Sequence, residues 1–313
     1  MRRVALIYNP ASGQYSGRRK AAVEQVLGVL RGAGIQADAF VSDTVGSAEE
    51  YAKKAVADRC DAIIACGGDG TVHAVLQSVV GTDTAIGVVP LGTANALAAD
   101  LGLVGSPGKA AAKLVDAVPT RVPVGRIHFQ NGSGPESRYF LVAAGVGADA
   151  LLMSRMEPGL KRKLGYALYV IEAFKIWATH PFPLFEASFS SNGHGPDKVS
   201  RVSQLLAVRI RSFGGMLNQF VPGATLHSDA LHLIAFGTRS RLHYFNFLMA
   251  AITGRHSFEK KIELVETATV DCRAINGDTL YVEADGEVLG HLPARMETVP
   301  DAVNLLVPRG AQP

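Results

Sequence analysis

The stretch from Asp61 to Thr71 constrains this chain more than any other. Asp61-Ala62-Ile63-Ile64-Ala65-Cys66 is a short apolar run with the character of a buried strand, and Gly67-Gly68-Asp69-Gly70-Thr71 follows as a glycine turn holding one carboxylate. Residues 72–80 then read as a helix. A strand that breaks into glycines and opens a helix brings bare backbone N–H groups and the positive helix end to one point. That is a ready site for phosphate. The turn has neither the Lys-Ser/Thr ending of a P-loop nor the spacing of a dinucleotide fingerprint. It belongs to another class of phosphate-handling loop.

The flanking chain supports this placement. Residues 3–8 read as a first buried strand, and Asn9-Pro10-Ala11-Ser12-Gly13 as a turn by composition. A helix is expected over 16–33, with Ala22, Val23, Val26, Leu27 and Leu30 on one face. Arg18, Arg19 and Lys20 read as its solvated start. A strand over 37–41 and a helix over 48–57 precede the Asp61 run, and a strand over 85–89 leads into Pro90-Leu91-Gly92-Thr93-Ala94-Asn95. Alanine-rich helix follows, through Leu101 and again over 109–115. Strands alternating with helices predict a parallel sheet covered on both faces. The loops at Asn9, Gly67 and Gly92 all follow strand C-terminal ends, where such sheets bind ligands. One such loop would read as a connecting turn; three on one edge argue for a site.

Near Val122 the pattern changes. Strands over 121–129 and 139–144 flank a polar hairpin region at 131–137, and the one long helical stretch expected in the second half covers 153–179. Strand-like runs follow at 185–190, 202–210, 230–236, 262–272, 280–284 and 291–297. Many strands separated by turn signals predict an antiparallel sandwich. The run at 303–307 is expected to return to the first domain. The reading is an α/β domain over 1–122 with a return segment at about 299–308, and an all-β sandwich over 123–298.

Composition narrows the classes. At 313 residues, with 48% hydrophobic and 19% charged side chains, the chain supports sizeable cores and is not globally disordered. A net charge of +3 is too small to argue for nucleic acid, though it suits mild attraction to an anionic membrane surface. Cys60, Cys66 and Cys272 show no metal-ligand spacing. Their odd number, and an apolar run after Met1-Arg2-Arg3 that reads as a strand and not an export segment, point to the reducing cytoplasm. No stretch approaches the roughly 18 apolar residues of a membrane span. A soluble, at most peripheral, protein is expected.

Read together, the motifs NPASG at 9–13, GGDGT at 67–71, PLGTAN at 90–95 and ADGE at 284–287 resemble the lipid kinase family that includes soluble bacterial diacylglycerol kinases, sphingosine kinases and ceramide kinases. The resemblance covers nearly the whole chain, in the family's order and approximate spacing. It implies an NAD-kinase-like domain that binds ATP and a β-sandwich that holds the lipid. Transfer of the γ-phosphoryl group to a lipid hydroxyl needs positioned phosphates, a divalent ion such as magnesium and a base near the hydroxyl. By resemblance, Gly67, Gly68, Asp69, Gly70, Thr71 and Thr93 would contact nucleotide phosphates, with Asn9, Ser12 and Gly13 lining the same pocket. Ser42 fits a further hydroxyl position better than Thr44. The base would be Asp285, with Glu287 as the alternative; Asp69 is a second candidate and one that would organise magnesium.

The resemblance also implies a structural cation held by the Asp229 carboxylate and the carbonyls of Leu226 and Leu231. Relatives carry Asp-Gly there; this chain has Asp229-Ala230. The chain departs again after GGDGT, where relatives carry a residue and then Asn-Glu and this chain has Val72-His73-Ala74. His73 reads as solvated on the first turn of a helix. An NAD kinase and a catalytically weak, lipid-binding regulatory protein are the alternative functions. On the lipid side, Lys161-Arg162-Lys163 precedes Tyr166, Tyr169, Phe174, Trp177, Phe182 and Phe185. Basic residues beside rings on a helix fit a membrane surface, with Trp177 or Phe182 near a lipid entrance. Most of these rings are expected in the core. The expected partner is a lipid at a membrane surface, with no nucleic acid; a homodimer is also compatible with the chain.

Overall fold

The computed structural model describes residues 1–10, 19–44, 46–156, 166–190, 198–213, 221, 223–253, 261–275 and 277–311. The chain forms two compact units, one of residues 1–123 and 300–313 and the other of residues 124–299.

In the first unit, β1 (Arg3–Tyr8), β3 (Ala62–Gly67) and β4 (Ala85–Pro90) are nearly continuous runs of buried residues. That pattern belongs to strands covered on both faces. With β2 (Gln36–Val41) they line up in the order β2-β1-β3-β4, all parallel, in registers such as Leu6↔Ile64 and Ile64↔Gly87. The far end of β15 (Glu287–Val307) adds a parallel strand beside β4 through Asn304↔Ala85. Helices α1 (Arg19–Gly32), α2 (Ser47–Ala57), α3 (Asp69–Val79), α4 (Ala96–Asp100) and α5 (Pro107–Val115) make the connections. α1 buries Ala22, Val23, Val26, Leu27 and Leu30, the apolar stripe that its spacing predicts. α3 starts earlier than expected. Gly68 is its N-cap in extended backbone, so Asp69, Gly70 and Thr71 form its first turn. An acid there meets the positive end of the helix dipole.

The second unit is an antiparallel β-sandwich. One run of neighbours is β12 (Ile262–Thr267), β11 (Leu231–Phe236), β10 (Gln204–Val208), β7 (Ala143–Val146), β14 (Tyr281–Ala284) and the start of β15. β15 also pairs with β13 (Thr269–Ala274), which continues through β8 (Phe185–Phe189) to β9 (Lys198–Val202). β5 (Val118–Asn131) and β6 (Gly134–Phe140) form a hairpin. Alternate residues of β8, namely Phe185, Ala187 and Phe189, face the same core as Val270, Cys272, Met296, Leu205, Leu233 and Val282. Among the described residues the helices of this unit are α6 (Ala148–Ser154), α7 (Tyr166–Thr179) and α8 (Arg241–Thr253).

Several expected elements divide. The run at 202–210 breaks at Ser203, because the chain there leaves its pairing with β8 and takes up β11; Ser203 N–H donates to Phe236 O at 2.9 Å. The run at 262–272 breaks at Ala268 for the same reason, since β12 pairs β11 and β13 pairs β8 and β15. Such corners are how strands switch partners in a sandwich. Of the helix expected over 153–179, α6 supplies the start and ends at Ser154, residues 157–165 lie outside the described residues, and α7 supplies the rest. α8 goes unpredicted by the sequence. Its Leu242, Tyr244, Phe245, Phe247 and Leu248 fall on all sides, and aromatic residues raise strand propensity.

Ile64 is fully buried on β3 between β1 and β4. Ile64→Ala is expected to lower the unfolding free energy by about 2–5 kcal/mol, read as an earlier midpoint in urea.

Candidate functional site: glycine loops and an acidic hairpin

In the first unit β3 ends at Gly67 and β4 at Pro90, and the loops that follow meet backbone to backbone. Leu91 N–H donates to Gly67 O at 2.8 Å. A Cβ on Gly92 would stand 2.4 Å from Gly68 Cα, so neither strand end could close on the other with a side chain at 92. Gly67 is similarly filled, since a Cβ there would meet Thr71 Oγ1 at 2.2 Å, and Thr71 is buried against it.

The Asp69 carboxylate locks this contact. Oδ2 accepts from Asn95 N–H and Oδ1 from Ala96 N–H, both at 2.9 Å. These are the first amides of α4, which a helix leaves without internal partners. Asn95 takes a left-handed conformation, and its side chain bonds both backbone groups of Gly92, accepting from N–H and donating to C=O at 2.9 Å each. Asp69 therefore has a clamping role that the sequence reading did not give it. Gly68, Asp69, Gly70, Gly92, Thr93 and Asn95 are all half-buried, at the surface of the unit.

Arg19 is buried, not solvated. Its guanidinium donates to Asn9 O and, at 2.7 Å, to Leu91 O, drawing the first and third loops together. Burial pulls its pKa down from the usual arginine value. Ser42 is also buried; its N–H donates to Tyr8 O at 2.8 Å, and its hydroxyl lies 3.1 Å from Ser47 Oγ. His73 is buried too, contrary to expectation, with its carbonyl accepting from Gln77. Ser12 and Gly13 lie outside the described residues, as do Arg18 and Lys161-Arg162-Lys163.

In the second unit the ADGE segment is a hairpin. Ala284 pairs with Glu287, and Asp285 and Gly286 both have positive φ, at 50° and 83°. That is the two-residue turn favoured by Asp-Gly. Its carboxylate does more than close a turn. Asp285 is buried, its N–H donates to Ala143 O, and its oxygens accept from Leu141 N–H at 3.0 Å, Val142 N–H at 2.8 Å and Ala143 N–H at 3.2 Å. Glu287, in contrast, is exposed at the start of β15. The two expected bases thus occupy opposite environments.

Two further carboxylates stand behind the turn, and neither was singled out from the sequence. Glu283 is buried and accepts from Gly286 N–H at 2.9 Å. Asp149, in the first turn of α6, has both oxygens out of contact with water, with only the amides of its own turn, Asp149 and Ala150, acting on them. Burial raises the Glu283 pKa well above the usual value, and the Asp149 charge raises it further. Burial pushes Asp149 up to about 7. Buried carboxylates this close cannot both ionise cheaply. Their positions, Glu283 on β14 and Asp149 in the first turn of α6, carried no signal, since burial depends on strands distant in sequence. The buried Cys66 and Cys272 thiols are pushed up by burial and have no nucleophilic character.

Of the residues expected to hold a cation, Leu226 is buried, Asp229 is exposed, and Leu231 opens β11 opposite Thr267. Among the described residues no three His, Cys, Asp or Glu side chains gather as a metal cluster.

Residues 3–127 match the family model of the diacylglycerol kinase catalytic domain, and residues 141–307 that of the YegS C-terminal NAD kinase beta sandwich-like domain. A diacylglycerol kinase of Mycobacterium tuberculosis is 30% identical over 314 residues, covering 98% of this chain and 96% of its own. The chain belongs to the diacylglycerol kinase family. A second relative within it, the diacylglycerol kinase of Bacillus subtilis, is 25% identical over 312 residues, covering 99% and 97% of the two chains. The fold recurs in a diacylglycerol kinase structure from Bacillus anthracis, with a TM-score of 0.72 at 18% identity and coverage of 99% and 98%. A yeast NADH kinase shares it more distantly, at a TM-score of 0.50 and 10% identity over 98% and 83%. An NAD-kinase-like α/β unit with a β-sandwich, as the motifs implied, is therefore the fold of this family member, and the family is one of kinases.

The raised carboxyl pair has a consequence for stability. An acid whose folded pKa lies above its unfolded value of about 3.9 binds protons in the folded state, so its stabilisation is complete at low pH and lost as pH rises toward the folded value. For Asp149 that window ends at about 7. Urea midpoints should fall between pH 5 and pH 8 in the wild type, and Asp149→Asn should flatten that decline and unfold later than wild type at pH 8.

Proposed function

We propose that this protein is an ATP-dependent lipid kinase that transfers the γ-phosphoryl group to the hydroxyl of a diacylglycerol-like or sphingoid lipid. The observation that carries the reading is the backbone apposition of Gly68 and Gly92 at the N-terminal end of α3. A side-chain-free surface of amides beside a helix N-terminus suits triphosphate oxygens, and it leaves little room for anything but backbone recognition. Asn9, Ser12, Gly13 and Ser42 would line the same nucleotide pocket, with Thr93 on the phosphates. Magnesium would arrive with the nucleotide and neutralise the charge between its phosphates. The acceptor oxygen forms a bond to the γ-phosphorus as the bond to the bridging oxygen breaks. ADP leaves, and the acceptor's proton passes to a carboxylate. Asp285 is the base in this reading, pinned by its amides and so pre-organised; the exposed Glu287 is the alternative.

The acceptor would be met at a membrane, with the protein cytoplasmic and peripherally bound. Supporting this, α7 exposes Ile171 and Phe174, and α8 exposes Leu242, Phe245, Leu248 and Met249. The spacing of three to four residues puts each set on one stripe. The helices adjoin: Trp177 stands 5.6 Å from Phe174 and 6.3 Å from Phe245, ring to ring, and its indole N–H donates to Arg241 O at 2.9 Å. The opposite side of α8 is anchored, with Tyr244 stacked on Phe236 and on the buried Phe182, and Phe247 edge-on to Phe236. Trp177 fits the expected membrane side, whereas Phe182 is core. No described helix is long and apolar enough to cross a membrane. Each such side chain withdrawn from water contributes up to about 1.5–3 kcal/mol, enough for a few to hold a protein at a surface.

Incubated with Mg-ATP and a panel of diacylglycerol, sphingosine, ceramide and phosphatidylglycerol, the purified protein should label at least one lipid. Asp285→Ala should then lose turnover by a factor of about 100 or more while still binding ATP. Labelling of NAD alone, or lipid bound without turnover, would replace this reading; loss in Glu287→Gln but not Asp285→Asn would move the base. In a separate test, Phe174→Ser with Phe245→Ser should reduce co-sedimentation with phosphatidylglycerol vesicles about tenfold or more and leave the unfolding temperature unchanged. Unaltered vesicle binding would remove this face from the membrane contact.

A further inference from the structure

The Leu226–Leu231 loop is where the family resemblance calls for a bound divalent ion. What stands beside it is Arg209. This side chain is fully buried one residue beyond the end of β10. Its backbone N–H donates to Val142 O at 2.9 Å and so continues the ladder between β10 and β7. Its guanidinium Nη2 donates to Ser228 O at 3.2 Å and reaches Leu226 O at 3.5 Å. Leu226 O is the carbonyl that a cation would have claimed.

The loop is also tied within itself, the His232 ring lying 3.2 Å from Ser228 Oγ and the Ala230 N–H donating to that oxygen at 3.1 Å. Arg209 and Asp285 hold the same residue, Arg209 through its backbone N–H on the Val142 carbonyl and Asp285 through its carboxylate on the Val142 N–H.

A divalent ion fits poorly here. It would share Leu226 O with a fixed, desolvated positive charge, and in a low-dielectric interior like charges repel strongly. Its one carboxylate ligand, Asp229, is exposed, whereas magnesium and calcium sites take about six oxygen ligands or more, waters included. Arginine, by contrast, presents several donors in a rigid fork, suited to converging carbonyls and carboxylates.

We propose that Arg209 is the resident cation of the Leu226–Leu231 loop, its guanidinium holding the loop carbonyls in place of a bound divalent metal ion. The replacement also suits Ala230 in the position where the family resemblance calls for glycine, since the loop need not wrap an ion. The proposal stands apart from the lipid kinase reading, because its test needs no nucleotide and no lipid.

The test uses the full chain without nucleotide. Manganese(II) titrated into the wild type and followed by electron paramagnetic resonance should give no bound ion that disappears in Asp229→Asn. The wild-type unfolding temperature should be the same in magnesium chloride, calcium chloride and EDTA. Arg209→Gln, which keeps some donors but no charge, should unfold about 5 °C or more earlier, because it leaves Leu226 O and Ser228 O poorly paired in the interior. Arg209→Lys should fall between the two. A stoichiometric manganese site lost in Asp229→Asn, or EDTA lowering the wild-type unfolding temperature with magnesium restoring it, would overturn the proposal even if no Arg209 variant folds.

Discussion

The first unit depends on one close approach, that of Gly68 to Gly92. A Cβ at Gly92 would come within 2.4 Å of Gly68 Cα, so the ends of β3 and β4 can converge only because the side chain is absent. The contact is then held by a carboxylate that gives both oxygens to α4 amides, and by Asn95 folded back on Gly92. The arrangement leaves the loop edge to backbone groups. It also explains why a lone acid sits among glycines: Asp69 neutralises the start of one helix while lying in the first turn of another.

The second unit repeats the device with a different strand pair. Asp285 adopts positive φ in a tight hairpin and returns its carboxylate to three successive amides, those of Leu141, Val142 and Ala143. Charge-assisted bonds to backbone are among the stronger hydrogen bonds in proteins. They fix the turn in a way that an Asp-Gly pair alone would not. Behind it, Glu283 and Asp149 form a carboxyl pair whose burial favours protons, while Arg209 supplies positive charge on the side of Asp229. Its three amides hold the Asp285 carboxylate in one place.

Much of this was legible beforehand because it rests on local pattern. The fully apolar β1, β3 and β4, the α1 stripe from Ala22 to Leu30, and the glycine loops at strand ends are all periodicities or turn chemistries within a few residues. The features that escaped depend on partners far away. Arg19 looked like a solvated helix start, yet its guanidinium bonds Leu91 O, 72 residues on. His73 looked solvated, but it is buried on α3. Ser203 and Ala268 interrupt runs that look continuous, because strand exchange between neighbours leaves no mark on hydrophobic alternation. α8 carries apolar residues all round, since one face packs on Phe236 while the other is exposed.

The sequence by itself therefore determined the layer type of each unit, the loops that gather at the strand ends, and the family. Each follows from short-range spacing or from motif order, which the chain carries without folding. Only the tertiary structure decided what the charged groups do. It made Asp69 a clamp, buried Asp285 on three amides while leaving Glu287 in water, and brought Arg209 to the Leu226 carbonyl. The reason is physical: a charge takes its character from desolvation and from its nearest partners, and in this chain those partners come from strands and loops far apart in sequence.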